Sequence, residues 1–68
     1  MLKISLKSAR VNAELTQKEV AVALKVSNKT VGSWEEGKTF PKPEQIDALC
    51  KLYGVSYDNI KFLPINSL

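Results

Sequence analysis

Apolar residues recur along this 68-residue chain mostly at helical spacing. Leu6, Ala9 and Ala13 stand at i, i+3 and i+7, and Val20, Ala21 and Leu24 at i, i+1 and i+4. Val31 and Trp34 are three apart, and Ile46, Leu49, Cys50 and Tyr53 follow i, i+3, i+4 and i+7. Such spacing gathers each set onto one face of a helix. Strand-like alternation is confined to Leu2-Lys3-Ile4-Ser5-Leu6 and runs straight into the first helical set.

The polar residues between these sets mark boundaries. Thr16 precedes Gln17-Lys18-Glu19, the Thr-x-x-Glu spacing of a capping box, in which side chains satisfy the first free backbone amides of a helix. Leu15 and Val20 flank it as a hydrophobic staple, and the same spacing recurs at Val26/Val31 around Ser27 and at Val55/Ile60 around Ser56. Gly37 and Gly54 stand where glycines end helices, and Pro43 suits a first helical turn. The pattern predicts five short helices, at 4–13, 17–24, 28–36, 43–53 and 57–61, in one all-α domain spanning 1–68. Its core covers about 4–62, followed by a short tail at 63–68. Only Lys25-Val26-Ser27 separates the second and third helices, a connection that suits a helix-turn-helix.

Composition mainly excludes. The chain has no histidine and one cysteine, Cys50, which leaves no Cys/His zinc site, no histidine-dependent catalytic pair and no internal disulfide. An unpaired cysteine fits a reducing compartment. No apolar run approaches the ~20 residues of a membrane span, and Met1–Lys7 is too polar for a secretory signal core. A cytoplasmic protein without cofactor, metal or small-molecule ligand is expected, and an enzyme is the least favoured class.

Charge adds a direction. The net charge is +3, and it is uneven. Residues 1–42 carry eight basic and four acidic groups, whereas 43–68 carry two basic and three acidic groups. The basic N-terminal part suits a polyanionic partner, although an ordinary solvated surface accounts for so modest an excess equally well.

Read in one register, Leu15-Thr16-Gln17-x-Glu19-Val20-Ala21-x-x-Leu24-x-Val26-Ser27-x-x-Thr30-Val31-x-x-Trp34-Glu35-x-Gly37-Lys38 resembles the Cro and phage-repressor helix-turn-helix family, also called the xenobiotic-response-element type. Pro43, Ile46, Leu49 and Tyr53-Gly54-Val55-Ser56 resemble the later helices of that family, so the likeness covers residues 4–62. It implies a compact five-helix, lambda-repressor-like domain whose third helix enters the DNA major groove. Glu14 and Lys25 stand where the family commonly has glycine, at helix ends that often need a positive φ.

On a helical wheel, Thr30, Val31 and Trp34 fall on one side of the third helix, and Asn28, Lys29, Gly32, Ser33 and Glu36 on the other. By resemblance Asn28, Lys29 and Ser33 read base edges, with Gly32 clearing space. Gln17, Lys18 and Ser27, at helix N-termini, and Lys38, Thr39 and Lys42, in the following loop, are the phosphate candidates. The loop charges also read as ordinary solvated lysines, and Phe40 as a sugar contact or a cover for the core. Ala21 is the small residue where helices two and three cross. Leu24, Val26, Val31 and Trp34 are core positions, Trp34 an anchor rather than a base-stacking group. Cys50 is a small buried hydrophobe, and Tyr53 packs with its hydroxyl towards water. By resemblance, Arg10 and Glu35 form a structural ion pair.

These residues favour a sequence-specific binder of double-stranded DNA, a small transcriptional regulator of repressor type, phage-like, acting as a homodimer on an inverted-repeat operator. An antitoxin that also binds a toxin, and a protein-binding adaptor without DNA affinity, are the alternatives. The tail, with Leu63 and Ile65, is apolar enough either to pair two copies or to cap the core.

Overall fold

The computed structural model describes residues 3–62. A two-residue strand, β1 (Ile4–Ser5), leads into α1 (Leu6–Asn12), followed by α2 (Gln17–Leu24), α3 (Asn28–Glu36) and α4 (Pro43–Tyr53). One turn of 3₁₀-helix (Tyr57–Asn59) then precedes β2 (Ile60–Lys61).

The helix starts follow from local hydrogen bonding. The Ser5 hydroxyl accepts from the Ser8 amide at 3.0 Å. At α2, the Thr16 hydroxyl accepts from the Glu19 amide at 3.1 Å while the Glu19 carboxylate accepts from the Thr16 amide at 2.8 Å, a complete capping box. Ser27 caps α3 by accepting from the Thr30 amide at 3.1 Å. Pro43 opens α4, where the Gln45 side chain accepts from the Lys42 amide at 2.7 Å. Gly37 and Gly54 end α3 and α4 at φ 78° and 69°. Glu14 and Lys25 also adopt the left-handed region, at φ 61° and 59°. The two turns therefore keep the shape that glycine ordinarily serves, and each side chain there costs about 1 kcal/mol.

The expected helix count is corrected: among the described residues the all-α fold has four α-helices rather than five, and one short parallel pair joins β1 to β2, Ile4 with Ile60 and Ser5 with Lys61. Helix 57–61 does not form, because Ile60 takes extended backbone (φ −100°, ψ 130°) to join Ile4 while its own side chain is buried. A β-branched residue suits that pleated setting. The apolar spacing Val55/Ile60 is therefore real but serves a strand after a single turn. In the same way α1 begins at Leu6 instead of residue 4, because Ser5 must be extended to cap it.

The core consists of Leu6 and Ala9 from α1, Val20 and Ala21 from α2, Val31 and Trp34 from α3, Leu49 and Tyr53 from α4, and Ile60. Leu15, Leu24, Val26, Cys50 and Val55 are half-buried around it, so Leu24, Val26 and Cys50 lie at the margin rather than the centre. Burial raises the Cys50 thiol, with the Asp47 charge adding to the effect. Among the described residues no helix is long and apolar enough to cross a membrane.

Candidate nucleic-acid interface

The site rests on how α3 is seated. Ala21 is 4% exposed, and its carbonyl accepts from the Val26 amide at 3.0 Å as the chain turns out of α2. Val20, Val31 and Trp34 fill the angle between the two helices from within. Trp34 is 5% exposed, so its ring packs in the core and is not offered to a base.

A second fixture holds α3 from α1. Arg10 Nε donates to Glu35 Oε2 at 2.7 Å, Nη2 donates to Glu35 Oε1 at 3.3 Å, and Nη1 donates to the Leu15 carbonyl at 2.8 Å. The side chains are 11% and 5% exposed. The hydrogen bond to Glu35 raises Arg10 above its ordinary value, against the opposing effect of burial. Gln17 Nε2 donates to Glu35 Oε1 at 3.0 Å, so the start of α2 is tied to the same carboxylate. Tyr53 packs in the core at 7% exposed, and loss of solvent pushes its phenol up to about 12, with Glu35 adding and Arg10 partly offsetting.

The outer face of α3 is polar. Asn28, Lys29 and Glu36 are exposed, and Thr30, Gly32 and Ser33 are half-buried. A shallow cleft is lined by Ser27, Lys29, Thr30 and Ser33 on one side and by Thr39, Lys42 and Gln45 on the other. The fold thus gathers two of the base-reading candidates, Lys29 and Ser33, with three phosphate candidates, Ser27, Thr39 and Lys42. Asn28, Gly32, Gln17, Lys18 and Lys38 do not line this cleft. Lys18 is exposed, and Lys38 pairs with Glu36 at 3.0 Å on the surface. The Ser27 hydroxyl is committed to its cap and to the Thr30 hydroxyl at 2.9 Å. A Cβ added at Gly32 would meet the Gln17 amide at 3.7 Å, an ordinary contact, so the domain's own packing does not demand that glycine. Leu63 and Ile65 lie outside the described residues.

The sequence reading did not include Gln45, and it put Thr30 on the inner side of α3. The signal for Gln45 was its place three residues after Lys42, where a side chain folds back to the start of its helix.

A family model described as a helix-turn-helix domain matches residues 4–62. The chain belongs to the helix-turn-helix domain family. Within this helix-turn-helix, α2 is the first helix, Lys25-Val26-Ser27 the turn and α3 the second helix. Over 55 residues, 81% of this chain, it is 33% identical to the HTH-type transcriptional activator BcrR of Enterococcus faecalis, covering 27% of that protein. Over 55 residues it is 36% identical to the cryptic phage CTXphi transcriptional repressor RstR of Vibrio cholerae, covering 50% of it. The aligned part of the chain thus spans about a quarter and a half of these two relatives. No solved structure matches the chain. Among the described residues no group of histidine, cysteine or carboxylate side chains is placed to hold a metal ion.

Proposed function

We propose that this domain binds double-stranded DNA sequence-specifically and regulates transcription, with α3 in the major groove. The observation that carries the reading is the exposed polar face of α3 standing beside Thr39 and Lys42, on a helix clamped from behind by Trp34 and the Arg10–Glu35 pair. A rigid helix presenting hydrogen-bonding groups next to loop cations suits simultaneous readout of base edges and grip on phosphate. Asn28 is suited to adenine, Lys29 to guanine and Ser33 to either, with Gly32 leaving room for the groove wall. Lys18, Lys38, Thr39 and Lys42 approach the phosphates as side chains. Gln17 and Ser27, whose side chains already have internal partners, mark helix N-termini whose free backbone amides favour an anion.

Three reading side chains, each worth ~1–3 kcal/mol of discrimination, do not reach operator-level specificity in a single copy. We therefore place two copies on an inverted repeat, their recognition helices about 34 Å apart, paired through the α4 side, which faces away from the polyanion. Occupying such an operator in the cytoplasm and blocking polymerase makes the protein a repressor. Selection from random duplex DNA tests the reading: enrichment of an inverted repeat is expected, and a pool with no enriched motif refutes it. Sedimentation of the complex on the selected duplex is expected to show two protein chains per site. One chain on an asymmetric site excludes the dimer.

A further inference from the structure

Gln45 stands in the cleft across from Lys29, Thr30 and Ser33, on the side of Thr39 and Lys42. Half of its carboxamide is committed within the fold. The Lys42 amide is a donor, so the atom that meets it at 2.7 Å is the side-chain oxygen. The NH2 group at the other end of the same plane carries two N–H donors, and among the described residues neither meets an acceptor. Lys29 and Lys42 are also uncommitted: among the described residues neither pairs with a carboxylate, and no carboxylate lines the cleft.

The chain closes two helix starts in the same way but with different chemistry. At α2 the returning side chain is an acid, Glu19, at 2.8 Å; at α4 it is an amide, Gln45, at 2.7 Å. Either type closes a capping box. An acid gains further from the positive end of the helix dipole, so capping alone gives no reason to prefer the amide. The surroundings do. Glu19 is exposed on α2 and does not line the cleft. A carboxylate at the Gln45 position would stand beside Lys42, offset its charge and repel any phosphate arriving there. The amide closes the cap without charge and leaves its donors free.

Resting on the DNA-binding reading above, we infer that Gln45 contacts the nucleic-acid backbone, its NH2 group donating to a phosphate oxygen beside Lys42. Lysine supplies a mobile point charge. Gln45, held at its oxygen, supplies a donor of fixed direction, which sets the register of the duplex against α3. Gln45→Glu separates this role from capping, because it keeps the oxygen that closes the cap and removes the donor. Its melting midpoint is expected to match or exceed the parent's. Its affinity for a duplex selected by the parent chain is expected to fall at least about ten-fold. Equal affinity overturns the inference. Methylphosphonate placed at one backbone position at a time, which removes the charge of that phosphate, distinguishes contact from a remote charge effect. The loss in Gln45→Glu is expected to vanish at one phosphate in each half-site, and a loss spread evenly along the backbone overturns the contact. Gln45→Ala adds no charge and is expected to couple to that same phosphate. If it couples to none, the contact is overturned however the first variant folds. A parent chain that selects no duplex fails the DNA-binding reading, and this inference falls with it. A parent that binds, with variants that bind alike, overturns this inference alone.

Discussion

Replacing Arg10 by methionine keeps most of the aliphatic bulk of the side chain and removes three hydrogen bonds, two to Glu35 and one to the Leu15 carbonyl. It leaves the Glu35 carboxylate, 5% exposed, with the Gln17 amide as its remaining side-chain partner. Breaking a buried pair from one side costs about 3–5 kcal/mol, chiefly because the surviving charge is stranded out of water. A domain of this size has only ~3–10 kcal/mol of stability, so the single variant is expected to sit close to unfolding at room temperature. Its melting midpoint should fall by more than about 12 °C. Glu35→Gln alone is milder, since Arg10 keeps Leu15 and retains some access to water. The double variant strands no charge and should recover about half of the Arg10→Met loss. Urea denaturation of the four proteins, followed by circular dichroism, measures the cycle. Additive losses within ~0.5 kcal/mol would show that the two residues do not act as a unit, and the reasoning would fail.

Tyr53 sets an alkaline limit. Its phenol is pushed up to about 12 in the folded chain, against about 10 when exposed. Between those values the unfolded chain has lost a proton that the folded chain keeps, so stability is whole below pH ~10 and falls as pH rises towards ~12. Urea midpoints taken across that range should decline less steeply in Tyr53→Phe, and identical slopes count against the assignment. Lys25→Gly relieves a left-handed side chain and should stabilise by up to about 1 kcal/mol, so a lower melting midpoint contradicts it. Lys29→Ala should cost about 1–3 kcal/mol on the selected DNA and flatten preference at one base position. Lys42→Ala should weaken selected and random duplexes alike and reduce the salt slope by about one, as fluorescence anisotropy titrations would report. An unchanged preference in Lys29→Ala removes it from the reading face.

Most of the fold was legible because its signals are local. Thr16, Glu19, Ser27, Pro43, Gly37 and Gly54 each act within a turn of themselves, so α2, α3 and α4 begin and end where the sequence places them. Ile60 was misjudged because its partner is Ile4, at the far end of the chain, and helical spacing alone does not reveal such pairing. The site was legible as a list of residues rather than as an arrangement. The wheel supplied Lys29 and Ser33, but only the path of the α3–α4 connection brings Thr39, Lys42 and Gln45 opposite them.

The two-residue ladder between Ile4 and Ile60 has a kinetic meaning. The helix-forming bonds link near neighbours and form on the time scale of local turns, whereas this ladder must close a loop of nearly the whole described chain. Loop entropy makes such a contact late, after the helices have assembled a surface that rewards it. It is then the first seam to part when the domain breathes, and the two ends of the described chain part together. Amide exchange at Lys61 should accordingly outpace exchange in the middle of α4. Ile4→Ala should speed unfolding far more than it slows folding, because the strand it weakens is absent from the transition state.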